Sequence, residues 1–113
     1  MSQDKPGILQ GTLDLMVLQA LHVMGPMHGF GIARRIEQVS EDTLRVNQGT
    51  IYLCLVRLLQ KAWISAEWGE SENKRRAKFY RITRSGRKQL AVEARDWERV
   101  AGAIGRLLHM ARR

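Results

Sequence analysis

A chain of 113 residues is long enough for one domain with a real core and is small for two. Its hydrophobic share of 44% is ordinary for a globular protein, and no apolar run approaches the roughly 18 residues of a membrane span, so a transmembrane helix is not expected. Lys and Arg exceed Asp and Glu by 8, and the single cysteine, Cys54, excludes an internal disulfide and fits a reducing cytoplasm.

The opening MSQDKPG is not followed by a signal-peptide pattern, so a cytoplasmic location is expected. A first helix is predicted over 8–24, with Thr12 as a candidate N-cap and Gly25-Pro26 as its stop. Leu13, Met16, Val17, Ala20, Leu21 and Met24 form one stripe, while Leu15, Leu18 and Val23 add apolar groups on the other sides. A helix this apolar all round is either central in the fold or covered by a second chain, and the second is expected for so small a protein. Pro26 to Gly29 reads as a turn. A second helix follows from Phe30 to Val39, with Ile32, Ile36 and Val39 inside. Ser40 to Thr43 is a polar break, and Leu44-Arg45-Val46 reads as a short strand.

The stretch Asn47–Lys61 organises the rest. Ile51, Leu55, Leu58 and Leu59 recur at helical spacing and face a core. Asn47 is a good N-cap, because its side-chain oxygen can accept from first-turn N–H groups that lack a helical partner. The outer face begins with Gln48, Gly49, Thr50 and Tyr52, small or hydrogen-bonding groups at the end where a recognition helix meets bases and phosphates. Arg57, further along, is a candidate contact to the same DNA. Helix, turn, helix at this spacing is the helix-turn-helix arrangement, a weak signal taken alone.

The period then changes from helical to two. Trp63 to Trp68 alternates as strands do, Gly69 to Asn73 reads as a loop, and Ala77 to Thr83 as a second strand with Tyr80 and Ile82 inside. Trp63 and Trp68 are expected to be structural parts of this hairpin. Charge sharpens the reading. Residues 1–73 carry a net −2, residues 74–88 a net +8 with no acid, and residues 89–113 a net +2. A 15-residue run therefore equals the whole excess. A hairpin with Lys74, Arg75, Arg76 and Lys78 beside a recognition helix is a wing reaching backbone phosphates.

From Thr83, a cap, a long helix is predicted over Arg84–Met110, about 40 Å at 1.5 Å per residue. Leu90, Ala94, Trp97, Ala101, Ile104, Leu108 and Ala111 alternate spacings of 4 and 3, a heptad seam suited to pairing across a two-fold axis. The expected homodimer interface is therefore Leu13, Met16, Val17, Ala20, Leu90, Ala94, Trp97, Ala101, Ile104 and Leu108. Trp97, facing Met16 and Ala20, is a candidate wall of an apolar effector pocket, although packing alone would explain it.

No enzyme is legible. His22, His28 and His109 are scattered, none sits at a metal-site spacing, and there is no nucleophile elbow, phosphate-binding glycine loop or zincin motif. No cofactor or metal is expected. Cys54 beside apolar residues reads as packing rather than as a redox sensor.

The stretches GTLDLMVLQAL (11–21), PMHGFGIARRIE (26–37), NQGTIYLCLVRLLQKAWI (47–64), EWGESENKRRAKFYRIT (67–83) and SGRKQL (85–90) resemble PadR-type transcriptional regulators in their short form with a single C-terminal helix. Together they cover most of residues 11–90. The resemblance implies a winged-helix homodimer that usually represses nearby genes and in some cases leaves DNA when a small molecule binds. The family's recognition-helix tyrosine matches Tyr52, and its basic wing matches Lys74, Arg75, Arg76 and Lys78. Three positions depart from the pattern: Leu53 replaces a usual proline, Cys54 an alanine and Ala62 a glycine. The first removes a backbone constraint, and the last suggests that the turn into the wing starts differently.

The expected architecture is therefore mainly α with a small β-hairpin wing (α+β). Residues 1–83 form a winged helix-turn-helix and 84–113 a dimerisation helix, in one compact unit. The expected partners are double-stranded DNA with a palindromic operator, a second copy of the chain, and a small-molecule effector; no membrane is expected. A different reading is a protein-interaction module whose basic wing docks an acidic protein. Gln48-Gly49-Thr50, small and polar, offers that reading no apolar anchor. Single-stranded nucleic acid is a weaker partner, because exposed aromatics for stacking are few.

Overall fold

The computed structural model describes residues 6–110. Helix α1 spans Pro6–Met24, strand β1 Met27–His28, α2 Gly29–Val39, α3 Gln48–Gln60, β2 Ile64–Glu70, β3 Arg76–Ile82 and α4 Arg84–Met110. The fold is mainly α with a small antiparallel sheet, as the periodicity predicts. Among the described residues no helix is long and apolar enough to cross a membrane.

The core lies where α1, α2 and α3 meet the base of the sheet. Val17, Leu18 and Leu21 of α1, Ile32 and Ile36 of α2, Ile51, Cys54, Leu55 and Leu58 of α3, and Ile64 and Tyr80 of the sheet are all buried. This settles the surroundings of α1. It is central: its own chain covers the side that carries Leu13, Val17, Leu18 and Leu21, whereas Gln19 and His22 to Met24 are exposed. Leu13 and Val17, expected at a dimer interface, are instead buried in this core, as is Leu90 of α4. Val39, expected inside α2, is instead exposed, and Ala33 is buried on that helix.

Several boundaries differ from the sequence reading. The first helix starts at Pro6 and runs through Thr12, so Thr12 is no N-cap. Proline is well placed there, since the first helical residue has no intrahelical use for an N–H. Pro26–Gly29 is not a plain turn: Met27 and His28 pair with Tyr80 and Phe79 and make the third strand of a sheet ordered β1-β3-β2. Leu44–Val46 forms no strand. It has no neighbour to pair with, and Val46 merely packs against the core.

α4 is anchored at one corner. The Thr83 hydroxyl accepts from Gly86 N–H at 3.0 Å as its cap and donates to the Ala62 carbonyl at 2.7 Å. The Ser85 hydroxyl donates to the same carbonyl at 3.0 Å. Gly86 is required here, because a Cβ would overlap the Trp63 carbonyl. Beyond Leu90 the helix leaves the core. Trp97, Val100, Ile104, Leu107 and Leu108 are exposed, and Ala94 and Ala101 are half-buried. The expected seam is thus divided: its start packs on the subunit and the rest is free. Its last position, Ala111, lies outside the described residues.

Candidate nucleic-acid interface

α3 is capped as its sequence requires. Asn47 Oδ1 accepts from Thr50 N–H at 2.8 Å. Ile51, Cys54, Leu55 and Leu58 are buried, whereas Gln48, Gly49, Thr50, Tyr52 and Leu53 are exposed. The helix runs unbroken through Leu53, where a proline would have removed one backbone donor. Its N-terminal end therefore offers free N–H groups, an amide, a hydroxyl and a phenol to solvent, on a helix whose other side is fixed by packing.

The wing is built by β2 and β3. Ile64 pairs with Ile82, Ala66 with Tyr80, Trp68 with Lys78 and Glu70 with Arg76. Strand alternation puts these eight side chains on one face. Near the helices that face is apolar and packs on the core. Past the core's edge the same face carries Trp68, Lys78 and Arg76. Trp68 is 58% exposed, so it is not the structural residue the sequence suggests. The Arg76 guanidinium lies 4.8 Å and the Lys78 ammonium 5.9 Å from its ring centroid, so one indole gathers two cations on its π-face.

The tip is tighter than expected. Ser71 N–H donates to Arg75 C=O at 2.8 Å and Lys74 N–H to Ser71 C=O at 2.9 Å, which confines the turn to 71–75 and puts Arg76 on the strand. Among the described residues Lys74, Arg75, Arg76 and Lys78 are exposed and form no ion pair. The basic run does not stay together. Arg81 is on the opposite sheet face, and Arg84, Arg87 and Lys88 begin α4, about 23 Å from the tip at 3.3 Å per strand residue.

The helix and the wing share one core, to which α3 gives Ile51, Cys54, Leu55 and Leu58 and the wing Ile64 and Tyr80. Tyr80 is buried on the sheet face that carries Lys78 and Arg76 further out. Burial pushes its phenol above the usual range, and the Tyr52 phenol of α3 adds to the rise.

Arg57 has a different place from the one expected. Its Nη2 lies 2.7 Å from Asp14 Oδ1 of α1, and the pair is mostly buried. Cys54 Sγ donates to the same oxygen at 3.1 Å. Burial first, then the Asp14 carboxylate, push the Cys54 thiol far above its ordinary range, and Arg57 offsets this only in part. A thiol so held is a hydrogen-bond donor rather than a reactive thiolate.

Ala62, at the position where the family resemblance leads one to expect glycine, has a left-handed backbone with φ +61. The turn into the wing thus has the conformation that glycine adopts most readily, and the alanine side chain bears the strain. Among the described residues no three His, Cys, Asp or Glu side chains gather as metal ligands. His28 is a cap, its Nδ1 accepting from Gly31 N–H at 3.0 Å. Met16, Ala20 and Trp97 line neither of two surface depressions, one along the wing and one between the wing and the start of α2.

The geometry agrees with what the chain is similar to. Residues 17–92 match the Transcriptional regulator PadR-like family. The structure of a transcriptional regulator from Clostridium thermocellum superposes with a TM-score of 0.78 at 26% identity, covering 88% of this chain and 96% of that one. A PadR family transcription regulator from Clostridium difficile gives 0.72 at 26% identity, over 85% of this chain and 97% of that one. An uncharacterized protein of Lysinibacillus sphaericus is 27% identical over 97 residues, 86% of this chain and 88% of its own. The chain belongs to the PadR-like family of transcriptional regulators, and it is a winged-helix protein that binds DNA.

Proposed function

We propose that the protein is a sequence-specific, homodimeric repressor. Residues 1–83 read the DNA, and 84–113 dimerise, with the first turns of α4 anchored to the DNA-reading part. The observation that carries this is the pairing of a solvent-facing α3 N-terminus with a cationic wing that is rooted in the same core and forms no ion pair among the described residues. Each subunit lays α3 in a major groove, and the two half-sites of a palindromic operator lie roughly 34–36 Å apart. Gln48, Gly49, Thr50 and Tyr52 meet bases and adjacent phosphates. Lys74, Arg75, Arg76 and Lys78 supply the salt-sensitive backbone attraction.

The second subunit covers the free part of α4, at Trp97, Ala101, Ile104 and Leu108, with Ala94, Met16 and Ala20 at its margin. An apolar effector enters beside Trp97, between the two chains, and loosens the grip on DNA. The role is regulatory rather than catalytic, in keeping with the family.

The test is fluorescence anisotropy on the DNA upstream of the protein's own gene, titrated at several salt concentrations beside a scrambled duplex of equal length. The expected result is a preference for the first well above tenfold, with a steep salt slope. Equal weak binding to both duplexes, with the protein also failing to select any sequence from a random pool, would defeat the proposal.

A further inference from the structure

The ion pair between Asp14 and Arg57 joins residues far apart in the chain and carries an inference about DNA reading. One carboxylate oxygen of α1 receives two groups of α3, Cys54 Sγ and Arg57 Nη2, at 3.1 and 2.7 Å. Cys54 and Arg57 are three positions apart, so they lie side by side on one border of the buried face of α3. The other border is held by packing alone, where Ile51 and Leu55 meet the start of α2 at Gly29. An apolar contact resists separation but is tolerant of small rotations, because it has no direction. A hydrogen-bonded ion pair has direction. Asp14 is the only acidic side chain that α1 presents among the residues whose burial is described.

We infer that Asp14 is a positioning residue for sequence recognition: it fixes the rotation of α3 about its own axis, and Arg57 acts through it rather than on DNA. Gln48, Thr50 and Tyr52 project from that axis, so a rotation displaces them together relative to the base edges. The wing cations belong to other elements and stay where they are. Loss of the pair therefore lowers discrimination between sequences more than it lowers attraction to DNA. Met16 and Ala20 lie on roughly the opposite side of α1 from Asp14, given 3.6 residues per turn. A displacement of α1 caused from that side reaches α3 through this contact.

The inference rests on the sequence-specific reading above, and one experiment separates the two. A duplex selected from a random pool by the wild-type protein is compared with a scrambled duplex, by anisotropy over a salt series. The variants are Asp14→Asn, Arg57→Ala, Arg57→Lys and, as a control for general loss of stability, Ile36→Val. Asp14→Asn and Arg57→Ala are expected to lower the ratio of the two affinities about tenfold and to leave scrambled-duplex binding and the salt slope unchanged. Arg57→Lys, which still reaches Asp14, restores the ratio to within about threefold. Ile36→Val leaves it unchanged.

If Arg57 instead bound phosphate directly, Arg57→Ala would reduce the salt slope by about one unit, and Asp14→Asn would free the cation and tighten binding to both duplexes. Either result overturns the inference, as does an equal fall on both duplexes or a control that reproduces the effect. A wild-type protein that selects no sequence defeats the functional proposal, and this one with it. A wild-type protein that discriminates while Asp14→Asn discriminates equally well defeats this one alone.

Discussion

α1 and the distal half of α4 present the same problem in the sequence, an excess of apolar side chains, and meet opposite fates. The inner face of α1 is enclosed by its own chain: Val17 and Leu18 have no solvent exposure at all. Distal α4 is left largely uncovered by the described residues, with Trp97 at 52% and Leu108 at 63% exposed. The difference teaches that an apolar helix is not in itself a sign of a partner. What matters is where the chain can fold back. α1 is followed by elements that pack on it from several sides. α4 comes last among the described elements and points away from them, in a molecule 57 Å long and only 23 Å thick.

The comparison breaks most readily at α1. Leu18→Ala removes a fully buried side chain and is expected to cost about 2–5 kcal/mol, read as a lower urea midpoint. A cost under about 1 kcal/mol would mean that α1 is not the core helix its burial indicates. The matching change on α4 is Ile104→Glu with Leu108→Glu. It should halve the mass seen by sedimentation equilibrium while the circular dichroism of the subunit is kept. A mass unaffected by the pair, at concentrations where wild type is dimeric, would place the dimer contact elsewhere.

The wing sharpens the comparison, since its residues are uncovered for a different reason. Arg76→Ala and Lys78→Ala should leave the mass alone and each reduce the salt slope of DNA binding by about 0.9, on cognate and scrambled duplexes alike. Changes at Gln48 or Thr50 should alter which sequence is preferred. If the wing substitutions shifted preference instead, the division of labour between helix and wing would be wrong. The smallest effect is expected at the junction that roots both the wing and α4. Ala62→Gly relieves a left-handed alanine and should stabilise by about 0.5–1 kcal/mol, after the extra freedom of glycine in the unfolded chain is subtracted.

Much of this was legible in the residues, wherever the cause is local. Asn47 and Thr83 announce the starts of α3 and α4 because a cap acts within three residues of itself. The change of period at Trp63 announces the hairpin. The misses have non-local causes. β1 is two residues long and exists only because Tyr80 and Phe79 arrive beside it. Trp68 alternates correctly for the inward face, but that face continues past the edge of the core. The heptad spacing of α4 is uniform although its surroundings change after Leu90. At the candidate interface, the exposed start of α3 and the cationic hairpin could be read from the chain, and the position of Arg57 could not. Its partner is 43 residues away, and no periodicity reports such a pair.

The corner at Gly86 has a mechanical consequence. Because α4 starts directly against the Trp63 backbone, the end of α3, the root of the wing and the base of a rod about 40 Å long share one joint. Such a rod is a lever. A rotation of about 5° at the joint moves its far end by roughly 3.5 Å, as the length of a 27-residue helix dictates. In reverse, a displacement of several ångströms at the tip reaches α3 and the wing as only a few degrees, with the force on them multiplied by the ratio of the two lever arms.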